Sequence, residues 1–220
     1  MVAKPVVPYR SASSAGRAMV ATPKPIPKAS TPATAPAARA VRLVRQRCAE
    51  WGVDPHRVGV LGYSAGGHLA SLLSTQPARY TDPADDLADR VPARPDLVAL
   101  AYPLISFVER YAPGAFAGSV DNFFGRRDVD QSLRREFSNE LHLDPGHPAV
   151  FIWTTRDDTL VPYTHSKLFA EACQRSNVAV RFELFPHGPH GMGLALDRTS
   201  AVRTWTSRFL DWLRQPGGPF

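Results

Sequence analysis

The chain has 220 residues, 44% of them hydrophobic and 21% charged, which suits one substantial globular core. Its formal charge of +6 invites a nucleic-acid partner, but the charge is misplaced for that role: residues 1–49 hold nine Lys or Arg and no Asp or Glu, leaving 17 basic against 20 acidic side chains for the rest. No DNA- or RNA-binding signature accompanies the basic segment, and no apolar run approaches the roughly 18 residues of a membrane span.

Residues 1–36 contain seven prolines, many Ala, Ser and Thr, and three of the four lysines (Lys4, Lys24, Lys28). Such a segment buries too little apolar surface to offset its ordering entropy, so it is expected to be disordered or loosely attached. Its opening lacks the apolar stretch of a signal peptide, which makes the cytoplasm the expected compartment. The core domain is expected over 37–220. Val41, Val44, Cys48 and Trp51 step 3-4-3 and predict a helix from about Ala37. "WGVDPHR" breaks it and leads into the strand "VGVL". A helix over Gly66–Thr75 and strands at Asp96–Tyr102, Ala149–Thr155 and Val180–Phe185 follow. Further helices are expected near Thr164–Arg175 and over Thr199–Arg214, where Val202, Trp205, Phe209 and Trp212 repeat the 3-4-3 step. Apolar strands alternating with helices predict a mostly parallel α/β sheet covered on both faces. Cys48 and Cys173 stand alone, without disulfide or metal spacing.

Between the first strand and its helix lies Gly62-Tyr63-Ser64-Ala65-Gly66, a G-x-S-x-G sequence in the strand–turn–helix setting that lifts a serine hydroxyl above a sheet. A serine needs a base to take its proton, and the base needs a partner that fixes its tautomer. Asp157 and Asp158 follow the third strand, and His187 and His190 follow the fourth, at the carboxyl ends where reactive groups gather in open α/β sheets. The order Ser, Asp, His along the chain fits. Other residues have plainer readings. His68 reads as structural, His187 as shaping the His190 loop, and Tyr63 as lining a pocket or packing. Ser106–His147, with Phe107, Tyr111, Phe116, Phe123 and Phe124, could form a cap, but aromatics belong more often to the core.

From about Ala37 onward the chain resembles the α/β-hydrolase superfamily, and within it the acetyl esterase and acetylxylan esterase-like group, which includes lipase-like carboxylesterases. The matching pieces are "DPHRVGVLGYSAGGHLAS", "RPDLVALAYPLIS", "HPAVFIWTTRDDTLVPYTHS" and "ELFPHGPHGMGLA". The resemblance implies Ser64 as nucleophile, His190 as base and Asp158 as the acid, with Asp157 as runner-up. It implies hydrolysis of small acyl esters, with acetylated sugars or xylan oligomers among the candidates, and no cofactor or metal.

The family also carries strands before the first helix and a Gly-rich oxyanion loop, neither of which residues 1–36 match. The N-terminal part is therefore expected to be truncated or replaced, with the Ala65 N–H as the remaining oxyanion donor and "VGVL" at an exposed sheet edge. That edge would offer a route to self-association. Two rivals stay open: a weak or inactive remnant acting as a binding module, and a serine peptidase of similar architecture.

Overall fold

A computed structural model describes residues 34–79, 90–111, 117–125, 128–196, 200–215 and 218–219. Four strands, β1 (Gly59–Tyr63), β2 (Leu97–Ala101), β3 (Ala149–Thr155) and β4 (Val180–Phe185), pair in chain order, all parallel. The register sets Gly62 against Leu100, Ala101 against Trp153, and Thr155 against Phe185. The helices are α1 (Thr34–Arg47), α2 (Ala65–Thr75), α3 (Ala117–Phe124), α4 (Gln131–Glu136), α5 (Thr164–Arg175) and α6 (Trp205–Arg214).

The alternation of side chains along the central strands divides the core. Val98, Leu100, Val150 and Ile152 meet Phe169, Ala170 and Cys173 of α5 on one face. Ala99, Ala101, Phe151 and Trp153 meet Val202 and Trp205 on the other, with Phe209 and Trp212 of α6 packed against them. Small alanines on β2 beside large aromatics on β3 leave room for the Trp205 indole, stacked 5.4 Å from Trp153. The α6 segment begins with a short 3-10 turn, Ala201–Thr204, whose Val202 N–H is capped by the Ser200 hydroxyl.

The first helix differs from expectation at both ends. It starts at Thr34, and its last regular residue is Arg47 rather than Trp51. The cause of the stop is Gly52, which adopts φ +64 while Val53 N–H donates to Cys48 O and Gly52 N–H to Ala49 O. This is the 6→1 and 5→2 bonding of a Schellman end, which glycine tolerates in the left-handed region. Of the expected stripe, Val41 and Cys48 are buried, whereas Trp51 swings out to 55% exposure. Residues 1–33, most of the expected tail, lie outside the described residues.

The two sheet edges differ chemically. On β4, Glu183 accepts hydrogen bonds from Arg181 and Arg208, a charged edge of the kind that discourages further pairing. Among the described residues β1 pairs only with β2, and its Leu61 is 46% exposed. An open apolar groove of about 530 Å³ runs beside it, lined by α1, β1 and α2.

The aromatics of Ser106–His147 enter the core. Phe107 is buried, and Phe123 and Phe124 pack on it and on Phe137. Phe116 and the side chain of Tyr111 lie outside the described residues.

Candidate active site

The turn after β1 holds Ser64 at φ +51 and ψ −118, a conformation costly for a residue with a side chain. It is over-determined by its surroundings. Ser64 N–H donates to Ala101 O at 3.0 Å, and its carbonyl accepts from Gly67, His68 and Leu104 at 3.0, 3.2 and 3.1 Å. A Cβ on Gly62 would sit 2.3 Å from Gly66 O, and one on Gly67 would sit 2.6 Å from Pro103 Cβ. A Cβ on Gly66 would meet nothing within 4 Å. The close approach therefore rests on Gly62 and Gly67, and the last glycine of the sequence motif is sterically free.

Three residues from three loops converge above the sheet. His190 Nε2 lies 2.8 Å from Ser64 Oγ, and His190 Nδ1 lies 2.7 Å from Asp158 Oδ2. Asp158, whose side chain is fully buried, also accepts the N–H groups of Leu160 and Val161 on Oδ1, both at 2.9 Å. A carboxylate oxygen can only accept, so the Nδ1 facing Asp158 Oδ2 is the ring nitrogen that carries the His190 proton. Nε2 is then left to accept from the serine hydroxyl.

Asp157 points elsewhere. Its Oδ1 accepts the Gly188 N–H at 2.8 Å and its Oδ2 lies 3.1 Å from His187 Nδ1. The Gly188 N–H, with His187 in support, holds the Asp157 carboxyl below the usual range. Of the two adjacent aspartates, Asp158, the one the resemblance favours, touches His190, and Asp157 does not.

Ala65 is the exposed first residue of α2, among the N–H groups that a helix start leaves without an intrahelical acceptor. His68 is buried against Phe107 and Phe123, with Nε2 2.9 Å from Phe137 O. Burial lowers its pKa to about 4, so it is a neutral core histidine donating to that carbonyl. Tyr63 is half-buried, 5.9 Å from the Tyr102 ring and 6.3 Å from Trp205.

Tyr102 was not singled out from the sequence. It follows β2 at φ +38, sets its ring edge-on to His190, and accepts the Gly193 N–H on its hydroxyl at 2.9 Å. Trp205 Nε1 donates to Gly193 O at 3.1 Å, so Gly193 is gripped from both sides. A positive φ on a tyrosine at a strand end leaves no mark in composition or periodicity. Among the described residues no group of His, Cys, Asp and Glu is arranged to hold a metal ion, and no helix is long and apolar enough to cross a membrane.

Several known hydrolases resemble this chain over most of its length. The chain is 33% identical over 158 residues to an acetylxylan esterase of Xylanibacter ruminicola, covering 69% of this chain and 29% of that protein. It is 34% identical over 159 residues to endo-1,4-beta-xylanase B of Butyrivibrio fibrisolvens, covering 72% and 24%. Among solved structures, an acetyl ester-xyloside bifunctional hydrolase from Caldicellulosiruptor lactoaceticus superposes with a TM-score of 0.71 at 40% identity, over 80% of this chain and 63% of that one. A thermophilic esterase from Thermogutta terrifontis with propionate bound gives 0.66 at 25% identity, over 82% and 63%. The chain thus spans about a quarter of these curated relatives and under two thirds of the solved ones. The family model BD-FAE matches residues 24–173, a stretch that includes Ser64 and Asp158 and ends before His190. The chain belongs to the BD-FAE family, within the esterase-like group of the α/β-hydrolases.

Proposed function

We propose that this chain is a serine carboxylesterase acting on small acyl esters, with acetylated sugars or xylan oligomers as the preferred class. The observation that carries the reading is the unbroken relay from Asp158 through His190 to Ser64, with both contacts under 3 Å. The substrate class is supported by the relatives, one an acetylxylan esterase and another an acetyl ester-xyloside hydrolase.

In this reading His190 Nε2 takes the Ser64 proton as Oγ attacks the ester carbonyl carbon. The tetrahedral oxyanion is met by the Ala65 N–H, at the positive end of α2. His190 returns the proton to the leaving alcohol oxygen as the C–O bond breaks, leaving an acyl group on Ser64. Water, deprotonated by His190, then attacks the acyl carbon and releases the carboxylic acid and free Ser64. Asp158 holds the imidazole in the required tautomer and stabilises its cation.

The test is p-nitrophenyl acetate hydrolysis together with fluorophosphonate labelling of the full chain. Labelling and turnover that vanish in Ser64→Ala are expected. Equal labelling of wild type and variant would remove Ser64 from the mechanism.

A further inference from the structure

Gly188 stands two residues before His190, half-buried, and is held through both its N–H and its carbonyl. Its N–H donates to Asp157 Oδ1 at 2.8 Å, and its carbonyl accepts the buried Thr155 hydroxyl at 2.7 Å. A Cβ there would fall 2.6 Å from Met192 Sδ and 2.8 Å from Thr155 Cγ2. One step back, Arg156 N–H donates to Phe185 O at 2.8 Å, continuing the β3–β4 ladder past the strand ends. The loop that carries His190 is therefore fastened to the loop that carries Asp158, by the residue next to Asp158.

We propose that Asp157 is a positioning residue: with Thr155 it clamps Gly188, and the clamp fixes where His190 stands between Asp158 and Ser64. The inference rests on the hydrolase reading of Ser64 and His190 given above. Its physical reason is that Asp158 and His190 stand 32 residues apart in sequence, in the loops after β3 and β4, and a relay of two hydrogen bonds tolerates little drift between them. Asp157 supplies an acceptor at that junction. Its other contact, to His187, lies in solvent with the imidazole 85% exposed, where an ion pair is screened and weak.

The experiment compares the full-length wild type with Asp157→Ala, Asp157→Asn and His187→Ala by two readouts. The first is hydrogen exchange of the amides in residues 186–191. The second is the rate constant of fluorophosphonate labelling at Ser64. In Asp157→Ala, exchange at Gly188 should quicken about fivefold or more, with the amides of β3 unchanged. Its labelling should slow about 10- to 100-fold. Asn still offers an amide oxygen to the Gly188 N–H, so Asp157→Asn should stay within about threefold of wild type in both readouts. His187→Ala should match wild type. Unchanged exchange in Asp157→Ala, or faster exchange at an unchanged labelling rate, overturns the proposal. So does an Asn variant as impaired as the Ala variant, which would make charge the agent. If the wild type does not label at all, the hydrolase reading fails, and the clamp stands or falls on the exchange data alone.

Discussion

Asp158 turns one carboxylate oxygen to His190 Nδ1 at 2.7 Å and the other to the backbone N–H groups of Leu160 and Val161. That division of labour dictates what an asparagine would do. The amide oxygen would take the two backbone donors, which turns the NH₂ toward His190 Nδ1. The imidazole must then accept at Nδ1 and carry its proton on Nε2, facing the serine it should deprotonate. Asp158→Asn is therefore expected to cut p-nitrophenyl acetate turnover on the order of 10⁴-fold with the fold intact. A loss under tenfold, measured on protein with a wild-type melting curve, would take Asp158 out of the relay.

The glycines around Ser64 make a second prediction. Gly62→Ala and Gly67→Ala both drive a methyl into atoms closer than 3 Å, in Gly62 against backbone. Each should destabilise the fold by about 1–3 kcal/mol or more, and Gly62→Ala the more severely. Gly66→Ala meets open space in the first turn of α2 and should leave the melting temperature unchanged or slightly higher. Thermal melts of the three variants decide it; an equal fall in all three contradicts the geometry.

Removing the Tyr102 hydroxyl isolates its grip on the His190 loop. Tyr102→Phe keeps the ring against His190 but leaves the Gly193 N–H without its acceptor. The expected cost is about 1 kcal/mol in stability, with a several-fold drop in turnover. Tyr102→Ala, which also removes the ring, should be worse on both counts. Turnover at the wild-type level in the alanine variant would show that the loop holds itself.

Acid sensitivity follows from two buried histidines. Burial lowers both His68 and His147 to about 4, well under the 6.5 of an unfolded histidine. Below pH 6.5 the unfolded chain therefore takes up protons that the folded chain refuses, and stability falls as pH drops from 6.5 toward 4. Each contributes on the order of 3 kcal/mol at full extent. Glu140, whose carboxyl burial raises, works in the opposite sense by becoming easier to bury once protonated. With two groups against one, the denaturation midpoint should decline steadily across that window. A flat midpoint between pH 6.5 and 4 would contradict the burial of the two rings.

Much of this molecule is legible in one dimension. The unbroken apolar runs at Leu97–Ala101 and at residues 149–153 are satisfied by burial on both faces, and β2 and β3 are the central strands. Trp205, Phe209 and Trp212 mark the face of the last helix because 3.6-residue periodicity projects them to one side, and Val202 joins them from the 3-10 turn before it. Gly-x-Ser-x-Gly between a strand and a helix marks a tight turn, in which Gly62 leaves no room for a side chain. Tertiary structure decided what neighbouring residues do within those turns. Asp157 and Asp158 are identical in type and adjacent, so composition does not separate them, and only the family spacing to Pro162 favours Asp158. The backbone path after β3 does, sending one carboxylate inward to His190 and the other outward to Gly188. Likewise Gly67 rather than Gly66 bears the close contact, because Pro103 arrives from a loop 36 residues downstream. Tyr102 meets His190 only because parallel pairing brings the ends of β2 and β4 to the same side of the sheet. Periodicity assigns a side chain to a face; which partner waits there depends on elements far away in the chain.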